Sequence, residues 1–441
     1  MNISPKQYKK LFSSTVIGVV LLWSFSCWGC DTISGTDGDD RPSMLNLDHQ
    51  DYLTQEVDYQ GRQLRIIHIY AAAPDYEWLA DDDEGAACVD DAARATVVYL
   101  RHYQITGEEE SAQKAIELLR FILYMQTPEG LFHNFVFTAE LDKNTTHQNS
   151  VADKMNWWAG RAVWALGKGG QILESYNPAF SETCLSAIDK AMPHVEALFS
   201  SYPNTKMVNG YKMPTWLISE TASDASSELL MGLAAANSVS AKTEYQEAID
   251  KIAEGLAMMQ YGGIGDAPYG AHISWEGGWH GWGNSQTMAL LEAGKPASAL
   301  IEGSNFYPWL MANGWLHSFE LANPQNRRYF EQIAYATRTV SVGLVRLYEQ
   351  TGNEDYAVMA GLAASWFTGN NVTGEKMYNT LHGYGYDGIT DANTINKNSG
   401  AESTIEANMT ILEVEQHPTA RKWMYATGGD TKSAQIDGKQ F

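Results

Sequence analysis

Amphipathic helical segments recur along most of this chain, and the links between them alternate in length. From Cys88 onward, apolar residues repeat at helical spacing. Thr106-Gly107 and Thr351-Gly352 place glycine where helices commonly end. The predicted helices span residues 89–105, 109–126, 152–168, 179–199, 222–239, 243–260, 283–293, 296–312, 327–350, 354–368 and 400–415.

The links indicate how these helices are arranged. Short links join residues within a pair, at 106–108, 240–242 and 351–353. Long links, rich in Trp, His, Asn and acidic residues, lie at 127–151, 200–221, 261–282, 313–326 and 369–399. Long loops are unusual in simple bundles and often carry functional residues. We therefore predict an all-α fold, an (α/α)6 toroid or six-hairpin barrel, whose long loops share one end. An open helical solenoid is the rival, although no fixed sequence period supports it.

The segments outside the helices complete the predicted organisation. Residues 55–71 alternate partly around Gln60-Gly61, which predicts a short N-terminal β-hairpin. Because no interior linker or composition break is visible, we predict one barrel domain over 44–427, followed by a polar C-terminal tail at 428–441.

The N-terminus has the pattern of an export signal. A basic region containing Lys6, Lys9 and Lys10 precedes an apolar stretch that ends near Trp28. Gly29-Cys30 resembles a bacterial lipoprotein cleavage site, so residues 1–30 are a predicted signal peptide and Cys30 the lipidated residue, with Cys27 as the alternative. Residues 31–43 form a predicted flexible tether. We expect a protein anchored in the bacterial cell envelope, in the periplasm or at the outer-membrane surface.

The net charge limits the binding partners to be expected, and the cysteine content bears on disulfide bonds. Removal of the signal peptide removes three lysines and no acidic residue, which lowers the formal charge from −23 to −26. Such a surface repels nucleic acid and anionic membranes, so contact with a membrane is expected only through the lipid anchor. Cys88 and Cys184 are the cysteines beyond the signal, and we favour two buried thiols over a disulfide.

One carboxylate near the C-terminus stands at the start of a helix, after a polar, glycine-bearing loop. Ser399 and Glu402 fit a capping box, in which both side chains satisfy backbone N–H groups. Alternatively, Glu402 closes one side of a cleft built from the long loops. Both interpretations remain open on spacing alone.

Other acidic residues also stand at helix starts. Asp90 and Asp91 open the first long helix, where acids complement the helix dipole or lie at the mouth of a cleft. Asp224 and Glu228, four residues apart, share one face of a later helix and have the same two interpretations.

Several long loops carry side chains suited to binding sugars. Tryptophan offers a flat apolar face, and its N–H needs a partner. The alternative for each of these residues is packing of the loop onto the helices. The candidates are His133 and Asn134; Trp157 and Arg161; Trp279, His280, Trp282 and Asn284; and Tyr386 and Asp387. No spacing typical of a zinc, calcium or phosphate site appears, so no metal or cofactor is expected.

Several short motifs resemble a known group of proteins. They are Val89–Ala95, Gly130–Phe135, Gly160–Gly167, Trp366–Asn370 and Asn398–Thr404. In this order they resemble a little-characterised bacterial group within the six-hairpin glycosidase superfamily, often labelled glycosyltransferase and associated with mannoside-processing enzymes. The resemblance implies an (α/α) barrel and a carbohydrate ligand. It also implies functional roles for Asp90, Asp91, Arg161 and Glu402.

Together these observations predict an inverting glycoside hydrolase that acts on oligosaccharides or polysaccharides. Inversion requires two carboxyl groups, and we pair Glu402 with Asp91, with Asp90 or Asp224 next in line. One alternative is a lipid-anchored surface protein that binds glycans without cleaving them. Another is a polysaccharide lyase or epimerase on the same fold, with His280 or Tyr386 abstracting a proton.

Overall fold

A computed structural model of the chain describes residues 41–426. The predicted signal peptide, the lipidation site at Cys30, the tether before residue 41 and the tail at 428–441 lie outside the described residues.

Helices account for about half of the described chain. The α-helices are α1 (Asp48–Leu53), α2 (Val89–Thr106), α3 (Glu109–Met125), α4 (Trp157–Leu173), α5 (Pro178–Leu198), α6 (Ser223–Val239), α7 (Thr243–Met258), α8 (Gln286–Glu292), α9 (Pro296–Ile301), α10 (Tyr307–Ala312), α11 (Ala334–Thr351), α12 (Glu354–Ala364), α13 (Ala401–Val414) and α14 (Pro418–Tyr425). A π-helical turn at Glu302–Phe306 joins α9 to α10, and 3-10 turns occupy Phe199–Ser201 and Ser365–Thr368.

Six of these helices contact one another in a cyclic series. In the order α2, α4, α6, α8, α11 and α13, each contacts the next, and α13 contacts α2. Each of the six also packs against the helix that follows it in sequence: α3, α5, α7, α9, α12 and α14 respectively. The result is six consecutive helical pairs, and the cyclic order of contacts is the order that the predicted toroid requires.

The N-terminal and C-terminal ends of the helices in this series line different cavities. A cavity of about 420 Å³ is lined by residues between the middle and the C-terminal end of all six helices of the series. The N-terminal residues of α2, α4, α6, α11 and α13 line cavities elsewhere. The six helices therefore run in the same direction. Close packing of α4 on α6 depends on Gly167 and Gly232, since a Cβ atom at either glycine would overlap the backbone of the other helix.

The prediction of an all-α fold is incomplete, because short strands occupy the long connections. The strands are β1 (Thr54–Tyr59), β2 (Arg62–Ile67), β3 (Tyr70–Ala72), β4 (Glu77–Leu79), β5 (Ala87–Cys88), β6 (Phe135–Val136), β7 (Thr205–Val208), β8 (Tyr211–Pro214), β9 (Gln260–Gly263), β10 (Asp266–His272), β11 (Gly278–His280), β12 (Ser318–Glu320), β13 (Asn323–Arg328), β14 (Gln332–Ile333), β15 (Tyr378–Asn379), β16 (Tyr384–Gly385), β17 (Gly388–Asp391) and β18 (Thr394–Asn396). Most pair in twos, while β11–β12–β13 and β14–β17–β18 form three-stranded sheets. These pairings satisfy the backbone hydrogen bonds of loops that lie on the helices.

Some of the predicted elements are present in the structure and others differ from it. The N-terminal hairpin is present as β1 and β2, with its turn at Gln60-Gly61. The helix predicted at 327–350 begins instead at Ala334, because β13 and β14 take its first residues. Helix α14 was not predicted.

Two smaller predictions concern cysteines and membrane spans. Cys88 and Cys184 are buried and free, as predicted. Between residues 41 and 426, the helices lack the combined length and apolar content that crossing a bilayer requires.

Ion pairs join the helices around the 420 Å³ cavity. Glu413 of α13 accepts a hydrogen bond from Arg101 Nε of α2 at 2.8 Å and lies 2.9 Å from Arg346 Nη2 of α11. Burial opposes ionisation of Glu413, but Arg346 and Arg101 lower its pKa below the usual value. This carboxylate therefore ties the first and last helices of the series together.

Replacing Glu413 with Gln should destabilise the protein by about 3–5 kcal/mol, because it leaves the charges of Arg101 and Arg346 without their buried partner. The matched control is Glu349→Gln, which removes a half-exposed partner of the same Arg346 and should cost about 1 kcal/mol or less. Urea unfolding measures both changes. Equal losses in the two variants would contradict this role for Glu413.

Candidate active site

A cleft with two lobes lies at the N-terminal ends of the helix series. The larger lobe has a volume of about 710 Å³ and the smaller about 470 Å³. Asp90, Trp157 and Glu402 line both lobes, so these three residues stand where the lobes meet.

Glu402 faces this cleft because the predicted capping box does not form. Helix α13 begins at Ala401, and no side chain caps it. Instead, the Ala401 N–H donates to the Ile69 carbonyl at 2.9 Å. Only glycine fits at position 400, since a Cβ there would lie 2.6 Å from that carbonyl. The Glu402 side chain is therefore free of a capping role, and 47% of it is exposed.

A buried guanidinium joins the carboxylates of α2 and α13. Arg94 Nη1 donates to Glu402 and to Glu406, each at 3.0 Å, and Nη2 donates to Asp91 at 2.6 Å. Asp90 lies 3.6 Å from the same Nη2. Four acidic side chains thus surround one arginine, whose own side chain is 1% exposed.

Asp91 is a carboxyl group of the cleft whose pKa is raised into the neutral range. Burial raises its pKa to about 7, although Arg94 acts in the opposite direction. The charges of Asp90 and Glu402 contribute to this rise. A carboxyl group that titrates near neutral pH can hold a proton and donate it to a substrate.

A second buried arginine binds carboxylates rather than leaving its charge for a ligand. Arg161 donates to Asp90 through Nη1, to Glu228 through Nε at 2.7 Å, and to the Tyr335 hydroxyl through Nη2 at 2.7 Å. Tyr335 in turn donates to Glu228 at 2.7 Å. Arg161 therefore holds Asp90 in place at the junction of the lobes.

The centre of the site holds more carboxyl groups than guanidinium groups. Below the cleft, Arg338 Nε donates to Glu406 at 2.5 Å and Nη1 donates to Ser285 at 2.9 Å. Three guanidinium groups then face five carboxyl groups, which are Arg94, Arg161 and Arg338 against Asp90, Asp91, Glu228, Glu402 and Glu406. This balance disfavours an anionic ligand.

Aromatic side chains distinguish the smaller lobe. Trp157, Trp275 and Trp282 line it together with Asp224 and His280. His280 Nε2 lies 3.1 Å from Asp224 Oδ2, and its ring stacks on Trp282 with centroids 3.9 Å apart. Flat apolar rings beside a carboxylate suit a sugar, which presents C–H faces and hydroxyl groups.

Asp387 lines the larger lobe and supports the loop before α13. It accepts hydrogen bonds from the Ser403 hydroxyl at 2.7 Å and the Gly400 N–H at 3.4 Å. Burial raises its pKa above the usual value, and the charge of Glu402 contributes.

Five predicted binding residues do not line either lobe. Trp279 is buried against Phe306 and Phe319, and Asn284 bonds to Ser274 and to the His280 carbonyl. The remaining three form hydrogen bonds within or between loops. His133 bonds to the Ser150 carbonyl, and Asn134 accepts a hydrogen bond from the Asp90 N–H. The backbone N–H of Tyr386 donates to the Met377 carbonyl. These contacts fit packing, the alternative stated for these residues, and a binding role for them stays a prediction.

Sequence reasoning missed several residues of the site. Arg94 lies within the Val89–Ala95 motif, three residues after Asp91, and this spacing indicates an ion pair on one face of the helix. Tyr335 and Glu406 lie in apolar helical segments, and nothing in the sequence marks them as neighbours of Arg161 and Arg94.

One group within the cleft has the donor atoms of a metal site. Cys88, Asp90 and Asp91 offer a thiol and two carboxylates whose ligand atoms lie within 4.8 Å of one another. Arg94 and Arg161 already bind both aspartates, and their positive charges oppose a cation at this position.

The chain shares its fold with solved enzymes that act on sugars. Cellobiose 2-epimerase from Bacillus thermoamylovorans aligns with a TM-score of 0.60 and 11% identity, over 85% of this chain and 96% of that chain. D-mannose isomerase aligns with a TM-score of 0.55 and 11% identity, over 79% and 91%. A GH family 9 endoglucanase aligns with a TM-score of 0.51 and 13% identity, over 83% of each chain.

The predicted resemblance is confirmed at the level of the fold, which the chain shares with these solved structures. No protein-family model and no curated protein sequence matches the chain.

The raised pKa of Asp91 predicts a pH dependence of stability. Its folded-state pKa of about 7 exceeds its ordinary value of 3.8, so its contribution to stability is complete below pH 3.8. That contribution is lost as the pH rises through about 7, because the unfolded chain releases the proton first.

Asp91→Asn cannot titrate, so its unfolding free energy should fall less steeply over this window, by up to about 1.4 kcal/mol per pH unit. Chemical denaturation between pH 4 and 8 measures the slopes, with the exposed Asp82→Asn as control. A slope unchanged from wild type in Asp91→Asn would show that burial does not raise this pKa.

Proposed function

We propose that the protein is an inverting glycoside hydrolase that cleaves an oligosaccharide bound across both lobes. The observation that carries the proposal is that Glu402 stands where the lobes meet, with Asp91 beside it in the larger lobe and room for sugar units on either side. Groups at such a junction lie beside the bond between two units, which is the bond that a hydrolase breaks.

Asp91 and Glu402 are the pair that we assign to catalysis. Asp91, with its pKa raised to about 7 by burial, donates a proton to the leaving glycosidic oxygen. Glu402 takes a proton from water, and the oxygen of that water attacks the anomeric carbon from the opposite face.

The surrounding charges support this assignment. Arg94 contacts both carboxyl groups, at 2.6 Å for Asp91 and 3.0 Å for Glu402, and so holds them in a fixed relation. Asp90, held by Arg161, is placed to stabilise the positive charge that develops on the sugar ring. We further propose that the enzyme acts at the cell envelope, on the basis of the export signal.

Glu402→Gln and Asp91→Asn should each lower hydrolysis by about 10²–10⁴-fold, because each removes one acid–base group. The measurement is release of new reducing ends from a panel of α- and β-linked oligosaccharides, with proton NMR reporting the anomer formed first. Glu129→Gln, on the exposed surface, is the matched control. Full turnover in both folded variants would refute the assignment.

A sugar epimerase or isomerase is the second candidate, favoured by the His280–Asp224 pair in the smaller lobe. Similar structures include a cellobiose 2-epimerase and a D-mannose isomerase. Such enzymes move a proton at a sugar carbon, for which a histidine is a suitable base. A glycan-binding protein without activity would bind the same sugars and release them unchanged.

Reaction in D₂O separates these functions. A hydrolase should give shorter products without deuterium on carbon, because no C–H bond breaks. An epimerase or isomerase should keep the chain length and incorporate about one deuterium per turnover at the reacting carbon. Mass spectrometry of the products distinguishes the two, and carbon-bound deuterium would contradict the hydrolase.

A further inference from the structure

We propose that Asp224 determines specificity in the smaller lobe by binding two adjacent hydroxyl groups of an uncharged pyranose. This inference rests on the proposed function, since it assigns a role within the same cleft. It removes Asp224 from the candidates for acid–base catalysis and names the class of sugar that the lobe takes.

The hydrogen bonds of Asp224 orient its carboxylate and leave it able to accept more. Oδ1 accepts the Ala225 N–H at 2.7 Å, and Oδ2 faces His280 Nε2 at 3.1 Å. Each oxygen keeps a second lone pair, and the side chain is 18% exposed to the lobe. Two neighbouring sugar hydroxyls can therefore donate to the two oxygens together, as charge-assisted hydrogen bonds.

His280 is the positioning residue for this carboxylate. Its backbone N–H donates to Ser274 Oγ at 3.1 Å, and its ring stacks on Trp282 at an interplanar angle of 16°. His280 Nδ1 is buried and has no hydrogen-bond partner among residues 41–426. We therefore place the hydrogen of the ring on Nε2, which lies 3.1 Å from Asp224 Oδ2, because a hydrogen on Nδ1 would be buried without an acceptor.

The walls of the lobe suit the apolar faces of a sugar ring. Trp282 is 38% exposed and Trp275 is 56% exposed. Gly283 leaves the Asp224 side chain uncovered on this side, since an added Cβ would stand in van der Waals contact with it at 3.5 Å. A pyranose can thus lie against indole while its edge reaches the carboxylate.

The charged groups around the smaller lobe favour an uncharged sugar ring over an anionic one. Among the described residues that line the smaller lobe, Arg161 is the one arginine or lysine, and all three of its donor nitrogens bind Asp90, Glu228 or Tyr335. Four carboxyl groups line the same lobe, from Asp90, Asp224, Glu228 and Glu402. A uronic or sulfated sugar would meet repulsion without a free cation to bind it.

The test measures binding by calorimetry with cellobiose and mannobiose, their deoxy analogues lacking one hydroxyl at a time, and the corresponding uronic disaccharide. In wild type, at least one parent sugar should bind, loss of either of two adjacent hydroxyls should weaken binding about 10-fold or more, and the uronic form should bind more weakly still. In Asp224→Asn the penalty for the missing hydroxyl should shrink. The ratio of two affinities within one variant does not depend on the fraction that is folded.

Two variants of the neighbouring histidine test the positioning role. His280→Phe keeps a ring on Trp282 but loses the donor, so it should reproduce the flattened pattern of Asp224→Asn. His280→Gln keeps an N–H donor and should restore the wild-type pattern in part. If His280→Gln fails as completely as His280→Phe, the donor role assigned to His280 is wrong.

A deoxy pattern that is identical in wild type and Asp224→Asn would overturn the inference, as would wild type that binds none of these sugars. The reducing-end assay on the same samples tests hydrolysis separately. Binding that depends on Asp224 without new reducing ends would refute the hydrolase and leave this inference standing. New reducing ends with an Asp224-independent pattern would do the reverse.

Discussion

The buried guanidinium of Arg94 is the interaction on which the rest of the site depends. It contacts Asp91 on its own helix and Glu402 and Glu406 on α13, which lies more than 300 residues later in the chain. Without this cation, several carboxyl groups would share a buried space with strong mutual repulsion. The arginine therefore makes the meeting of the first and last helices of the series possible and sets the geometry of the candidate catalytic pair.

The same two helices are joined again at the opposite end by Glu413 with Arg101. Contacts at both ends hold α2 and α13 in one register, so a displacement of Glu402 relative to Asp91 would break ion pairs at two places. Buried ion pairs are expensive in stability, because desolvation offsets much of their attraction. Their value here lies in fixed geometry, since preorganised charge is what a catalytic site requires.

The sequence predicted the helical pairs well because their apolar spacing is a local signal, as in α2–α3 and α11–α12. It could not predict the strands of the long connections, since β5, β6 and β14 have two residues each and carry no period. The acids Asp90, Asp91 and Glu402 were recognisable at helix starts. Their common partner was not, because contact between α2 and α13 depends on the closure of the whole series. For Glu402, spacing left capping and cleft as equal possibilities, and the contact between Ala401 and Ile69 decided between them.

The two lobes differ in the side chains that line them, and this difference bears on the direction in which a substrate would lie. The larger lobe is lined by Asp81, Glu84, Glu331 and Asp387 besides the central acids, whereas the smaller lobe carries the exposed tryptophans Trp275 and Trp282. Stacking gives orientation and affinity to one sugar ring, while a polar acidic wall accepts hydroxyls over a wider space. In the proposed hydrolase, a substrate would have one unit fixed firmly in the smaller lobe and the rest bound loosely in the larger. The group that leaves the larger lobe can then vary in length, whereas the unit beside Asp224 must match the site.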